Sequence, residues 1–279
     1  MIVHAGDMHF KALGDLVRDT QDKEVVIENC IGQRYIGAGS SGKKIEIIGT
    51  PGNALGAYLN GTDIVVRGNV QDAVGDTMNC GSIIVHGGAG DALGYAMRGG
   101  KIFIRGNVGY RCGIHMKAYM NFKPVIVIGG RAGSFLGEYQ AGGLIVVLNL
   151  SDESPVVGNF CGTGMHGGEM YLRGEALPPN LPPQVKAERA EGISDPWVRS
   201  IITEYAGVYG LDAEKLLAPE GKIPLSELSA ALSAKSYPAA WKELKEALES
   251  ADAYVADGGG SGAAIGTIFE RALYKCLQR

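Results

Sequence analysis

Gly49, Gly68, Gly87 and Gly106 stand 19 residues apart, and so do Gly56, Gly75, Gly94 and Gly113. Two glycine series in strict phase over consecutive segments mean that one short structural unit is being repeated. The units read IEIIGTPGNALGAYLNGTD from Ile45, IVVRGNVQDAVGDTMNCGS from Ile64, IIVHGGAGDALGYAMRGGK from Ile83 and IFIRGNVGYRCGIHMK from Ile102. After an insertion, AYMNFKP (118–124), the pattern resumes from Ile126 and brings Gly137 into the second series. It continues through IVVLNL and VGNFCGTGMHGGEMYLRG to Gly174, and VVIENC from Val25 forms a less regular first unit.

Each unit opens on a short β-branched strand and then passes glycine-marked turns, which suit residues of positive φ. A unit of this size cannot bury an apolar face alone. Stacking the units lets equivalent positions pair through parallel ladders and share one core. The expected fold is therefore mainly β: a right-handed parallel β-helix of about seven coils with a roughly 19-residue repeat. Met78, Met97 and Met116 share one phase and are expected to form an inward column. Hexapeptide left-handed helices require an aliphatic residue every six positions, and leucine-rich repeats require closely spaced leucines. Neither pattern is present.

The flanks read differently. Phe10, Leu13, Leu16 and Val17 are spaced like one face of a helix, so residues 1–24 are expected to cap the stack. The repeats occupy 25–175, and the proline-rich ALPPNLPPQVK falls in a connector at 176–193. A small helical extension is expected over 194–279. Its first helix has Asp195 as N-cap and Pro196 at the first helical position. Further helices are expected at 238–254 and in the closing IGTIFERALYKCLQR.

Composition narrows the function. The chain carries 43 Gly, yet 46% of its residues are hydrophobic, which excludes low-complexity disorder. A formal net charge of −4 argues against nucleic-acid or anionic-membrane partners. No apolar run reaches the length of a membrane span, and the N-terminus lacks a signal-peptide pattern. Cys30, Cys80, Cys112, Cys161 and Cys276 are widely spaced and odd in number, as expected of a cytoplasmic protein with reduced thiols.

Candidate chemistry is thin. Cys112 with His115, and Cys161 with His166, are the nearest approach to metal-ligand pairs, but zinc sites need four ligands in close pairs. Asp63, Asp76 and Asp91 sit near turns without forming the clustered acids of a polysaccharide-cleaving groove. The segment YVADGGGSGAAIGTIFE (254–270) matches neither a dinucleotide fingerprint nor a P-loop, and GAGSSG (37–42) falls on a repeat corner. No catalytic, cofactor-binding or metal-binding residue is assigned. The structural positions are Gly49, Gly56, Gly68, Gly75, Gly87, Gly94, Gly106, Gly113 and Gly137, with the methionine column.

The run YIGAG (35–39), the series NALGAYLNG, DAVGDTMNCG and DALGYAMRGG, and the ending GTGMHGGEMYLRG resemble the GXGXG domain. That family comprises the C-terminal β-helix domain of the glutamate synthase large subunit and its stand-alone relatives, with a non-catalytic subunit of formylmethanofuran dehydrogenase as a cousin. The resemblance implies a scaffold without catalytic residues, braced against a class II glutaminase and an FMN-dependent synthase subunit. FMN and the iron–sulfur centre would reside on those partners, and none would be bound by this chain. The formylmethanofuran dehydrogenase role is the alternative. A free-standing β-helix enzyme with a surface groove is a third, and a homo-oligomer a further option. The insertion at 118–124 and the tail after about 187 depart from the family pattern.

Overall fold

The computed structural model describes residues 1–218, apart from 153, 175, 176 and 189–191. The expected helices at 238–254 and at the C-terminus, and the glycine run at 254–270, lie outside the described residues. The chain divides into two compact units, Met1–Glu220 and Gly221–Arg279, and the described residues all lie in the first.

This unit is mainly β. Nine strands form one sheet in strict chain order: β1 (Ile2–His4), β2 (Glu24–Ile31), β3 (Lys44–Thr50), β4 (Asn60–Val66), β5 (Cys80–Val85), β6 (Lys101–Ile104), β7 (Val125–Ile128), β8 (Ala141–Val147) and β9 (Gly167–Leu172). Every neighbouring pair is parallel, so each connection returns the chain to the same end of the sheet. Val25, Ile45, Ile64, Ile83, Ile102, Ile126 and Ile145 are successive ladder partners, and each is at most 1% exposed. Like β-branched residues stack because the repeat and the register agree. Burying each isoleucine contributes roughly 2 kcal/mol before chain entropy is counted.

The connections are ladders too. The N–H of Gly56, Gly75, Gly94, Gly113, Gly137 and Gly162 donates to the carbonyl of Ile36, Leu55, Val74, Leu93, Cys112 and Leu136 respectively, at 2.8–2.9 Å. A further parallel row of bridges links Ala89, Val108, Ala132 and Val157. Asn53, Asp72 and Asp91 accept the N–H of Asp72, Asp91 and Tyr110 through side-chain oxygens, tying one repeat to the next.

Three helices complete the described residues: α1 (Phe10–Asp19), α2 (Pro196–Tyr209) and α3 (Ala213–Leu217). Helix α1 places Leu13 and Val17 in the core with Val3 and Ile27, whereas Leu16 is 40% exposed. The edge strand β1, which precedes α1, was not expected from the sequence.

Helix α2 starts as the sequence indicates, with Asp195 accepting from Trp197 N and Val198 N, and it ends on Gly210 in the left-handed conformation. It packs on the outer face of the sheet. Val198, Ile202, Tyr205 and Ala206 form a second core with Phe103, Val125, Val127, Leu144 and Val146. This explains a change in strand pattern. KIEIIGT of β3 alternates buried and part-exposed residues, whereas all four residues of VIVI in β7 are buried, because a helix covers the second face there.

Candidate functional site

The turn that gives the repeat its character runs through YIGAG and its equivalents. Tyr35, Gly37 and Gly39 have φ of 59°, 68° and 66°. Left-handed residues therefore alternate with ordinary ones, and the next repeat does the same with Ala54, Gly56 and Tyr58 at 59°, 63° and 57°. Only the middle position is held to glycine. A Cβ at Gly75 would sit 2.5 Å from Ile102 Cδ1, and one at Gly94 would sit 2.5 Å from Ile126 Cδ1. The same atom would meet Ile83 from Gly56, Ile145 from Gly113 and Met170 from Gly137.

The other glycine series has a different cause, which corrects the expectation of positive φ at every corner. Gly68, Gly87 and Gly106 do not have positive φ. A Cβ at each would strike the backbone of the repeat before it: Gly49 O from Gly68, Gly68 O from Gly87, and the Gly87–Gly88 backbone from Gly106. Gly49 combines φ of 130° with a blocking contact at Cys30 O. This column exists so that backbones can approach closely.

Met78, Met97 and Met116 are fully buried. The next position in their phase is Gln140, also fully buried, whose Nε2 donates to Gly142 O and Gly143 O at 3.3 and 3.2 Å. Its Oε1 has no partner among the described residues.

The paired Cys and His residues are not brought together as ligands. Cys112 is buried, and burial pushes its thiol far above the ordinary cysteine range. His115 lies on the exposed side, stacked on Tyr139 at 5.0 Å and edge-on to Tyr95 at 5.9 Å. Cys161 is pushed up to about 12 by burial and touches Met170 Sδ at 3.8 Å, while His166 Nδ1 lies 2.8 Å from Gly164 O. Among the described residues no group of three or more His, Cys, Asp or Glu could hold a metal ion. Asp63 accepts from Ser82 Oγ at 2.6 Å and Asp76 from Thr77 Oγ1 at 2.8 Å, so both act as local braces.

What the sequence reading missed is where the aromatic residues go. Tyr35, Tyr58, Tyr95, Tyr110, Tyr139 and Phe160 all stand within three residues of the Gly37–Gly162 column, and all are exposed. Tyr58 and Tyr110 remain 58% and 55% accessible. Phe135 stacks on Phe160 at 5.2 Å, with the Arg111 guanidinium over its ring at 5.0 Å and Glu138 paired to Arg111 at 3.1 Å. The signal was present: the positions flanking the glycine column hold Tyr or Phe far more often than the strands do. This face suits protein recognition, in which aromatic side chains and Arg are enriched.

Comparison with known proteins places the architecture. An uncharacterized protein of Methanocaldococcus jannaschii is 50% identical over 186 residues, covering 63% of this chain and 71% of that one. Among solved structures, a chain of the formyltransferase/hydrolase complex from Methylorubrum extorquens, determined with methylofuran, aligns with a TM-score of 0.52. That match has 24% identity over 71% of each chain and shows a shared fold. Among the described residues no helix is long and apolar enough to cross a membrane. The model of the GXGXG motif family matches residues 19–218, and the chain belongs to that family.

Proposed function

We propose that this chain is a partner-binding scaffold subunit without chemistry of its own, its repeats wound as a right-handed parallel β-helix, in a complex of the split glutamate-synthase kind. The observation that carries the reading is the aromatic face on the left-handed turns. A monomer exposes this many aromatic side chains at a cost in solubility, whereas an interface uses them. The buried thiols agree with this. Cys30 is pushed up to about 11 and Cys161 to about 12 by burial, so neither is a ready nucleophile near neutrality. In this reading a class II glutaminase and an FMN-dependent synthase subunit supply the reaction, and flavin and iron–sulfur groups stay on those chains.

A second reading, the non-catalytic subunit of a formylmethanofuran dehydrogenase, draws on the family cousinship and on the fold alone of the Methylorubrum chain. Affinity capture of the native protein followed by mass spectrometry separates the two. A glutaminase with a flavin-dependent synthase supports the first, and a molybdenum- or tungsten-containing dehydrogenase subunit supports the second. Recovery of the chain alone, with a hydrolytic activity that follows it through purification, overturns both.

A further inference from the structure

The insertion at 118–124 lengthens one repeat beyond 19 residues, and insertions in repeat proteins map to one face, often a binding face. Here it forms a tight hairpin. Tyr119 N donates to Phe122 O at 3.0 Å and Phe122 N to Tyr119 O at 2.9 Å. The hairpin leans on the corner of the preceding repeat, where a Cβ on Gly99 would meet Phe122 Cβ at 3.1 Å. Between hairpin and corners lies a groove of about 560 Å³ lined by Tyr58, Asn60, Asn79, Cys80, Arg98, Tyr119 and Phe122, with Gly39 at its margin. That volume is in the range of small-molecule sites.

The lining has a definite chemistry. Asn60, Asn79 and Arg98 are one column, 19 residues apart, so the repeat itself sets two carboxamides and a guanidinium in a row. Asn79 Nδ2 donates to Thr77 O at 3.2 Å. Arg98 Nη1 donates to Ala96 O at 2.7 Å and His115 O at 3.1 Å, which fixes the guanidinium plane. Its Nε and Nη2 make no hydrogen bond among the described residues. Among the described residues no carboxylate lines the groove to neutralise Arg98, and Tyr58, Tyr119 and Phe122 supply aromatic walls. A held guanidinium with a free edge suits a bidentate carboxylate, and aromatic walls suit a flat ring.

We propose that this groove binds a small planar carboxylate, its ring against Tyr58, Tyr119 or Phe122 and its carboxylate on Arg98. This site shares Tyr58 with the aromatic turn face but does not depend on the scaffold reading.

The test uses the full chain with Cys276 replaced by serine, so that Cys80 is the exposed thiol among the described cysteines. Benzoate is the probe and benzamide its neutral control, followed by calorimetry and by the rate of Cys80 modification with a disulfide reagent. We expect saturable benzoate binding at millimolar concentration or below, at least tenfold slower Cys80 modification when saturated, and at least tenfold weaker benzamide binding. R98Q and F122A should each weaken benzoate at least fivefold. F122A leaves the Arg98 hydrogen bonds intact and so reports independently if R98Q perturbs the corner. No saturation up to 50-fold above a millimolar (on the order of the weakest useful affinity), equal binding of benzamide, or unchanged affinity in both variants overturns the proposal.

Discussion

The hydroxyl of Tyr209 lies 2.8 Å from the carbonyl oxygen of Val85, 124 residues earlier, and 2.9 Å from that of Phe103. One proton thus serves two strand carbonyls, and Tyr205 donates similarly to Ile104 O at 3.0 Å. Val85 O and Ile104 O already accept Arg105 N and Gly129 N, so the hydroxyls add to a satisfied sheet. Tyr209→Phe should therefore cost only about 1 kcal/mol in denaturant melts. Tyr209→Ala should cost roughly 3–5 kcal/mol, because the ring also packs on Tyr205 at 4.7 Å and under the Arg105 guanidinium.

Two glycine-to-alanine changes should have opposite signs. Gly75→Ala forces a Cβ into φ of 67° and against Ile102, and should destabilise by about 2–3 kcal/mol. Gly14 lies inside α1 with nothing within 4 Å of where a Cβ would stand, so Gly14→Ala should stabilise by about 0.5–1 kcal/mol. Chemical denaturation of the two variants beside the parent measures both. Equal effects would show that the left-handed column is not held as described.

Met97→Ala should lose about 2–5 kcal/mol, since the side chain is fully buried in a column shared with Met78 and Met116. Met97→Asp should be worse, because it strands a charge there. A variant melting like the parent would refute the inward phase.

The cysteines should react in two classes. With Cys276 replaced, the native protein at pH 8 should expose one fast thiol, Cys80, while Cys30, Cys112 and Cys161 react only on unfolding. Burial raises all three of the protected thiols, Cys30 to about 11. A second fast thiol would contradict the packing.

His86 supplies a pH dependence. Partial burial lowers its affinity for a proton, and Arg67 and Arg105 lower it further, against a weaker opposing pull from Glu46. Arg67 Nη1 lies 2.9 Å from its Nε2, and Tyr209 meets the ring edge-on at 5.3 Å. The unfolded chain then takes up the proton first as pH falls below the ordinary value of 6.5. This contribution to stability is present above that value and is lost as pH drops through the folded pKa. The imidazole should titrate below its ordinary value by NMR, and His86→Gln should flatten the stability slope in that interval. An unshifted titration would refute the arrangement.

The parallel strands, their register and the inward methionines were legible because a fixed period puts chemically equal residues in equal places. The sequence also marked α2 through Asp195, Pro196 and Gly210. Its docking was less visible, since it depends on strand residues between Phe103 and Val146, far from it along the chain. The hint lay in VIVI and in KIFI, where apolar runs replace alternation. The left-handed conformation of Tyr58 or Phe135 had no local signal, because bulky residues ordinarily avoid it. Only the interlocking turns above and below hold them there. The groove depends on Phe122 meeting Gly99, a contact that no spacing rule reveals.

The spacing from Gly113 to Gly137 is 24 residues, where the preceding intervals are 19, yet Gly137 N still donates to Cys112 O at 2.8 Å. Five additional residues leave the sheet and rejoin the same ladder without shifting its phase. The corner after Met116 is therefore a place where chain length is free to vary, a natural port for grafting a peptide or affinity epitope onto an otherwise fixed frame.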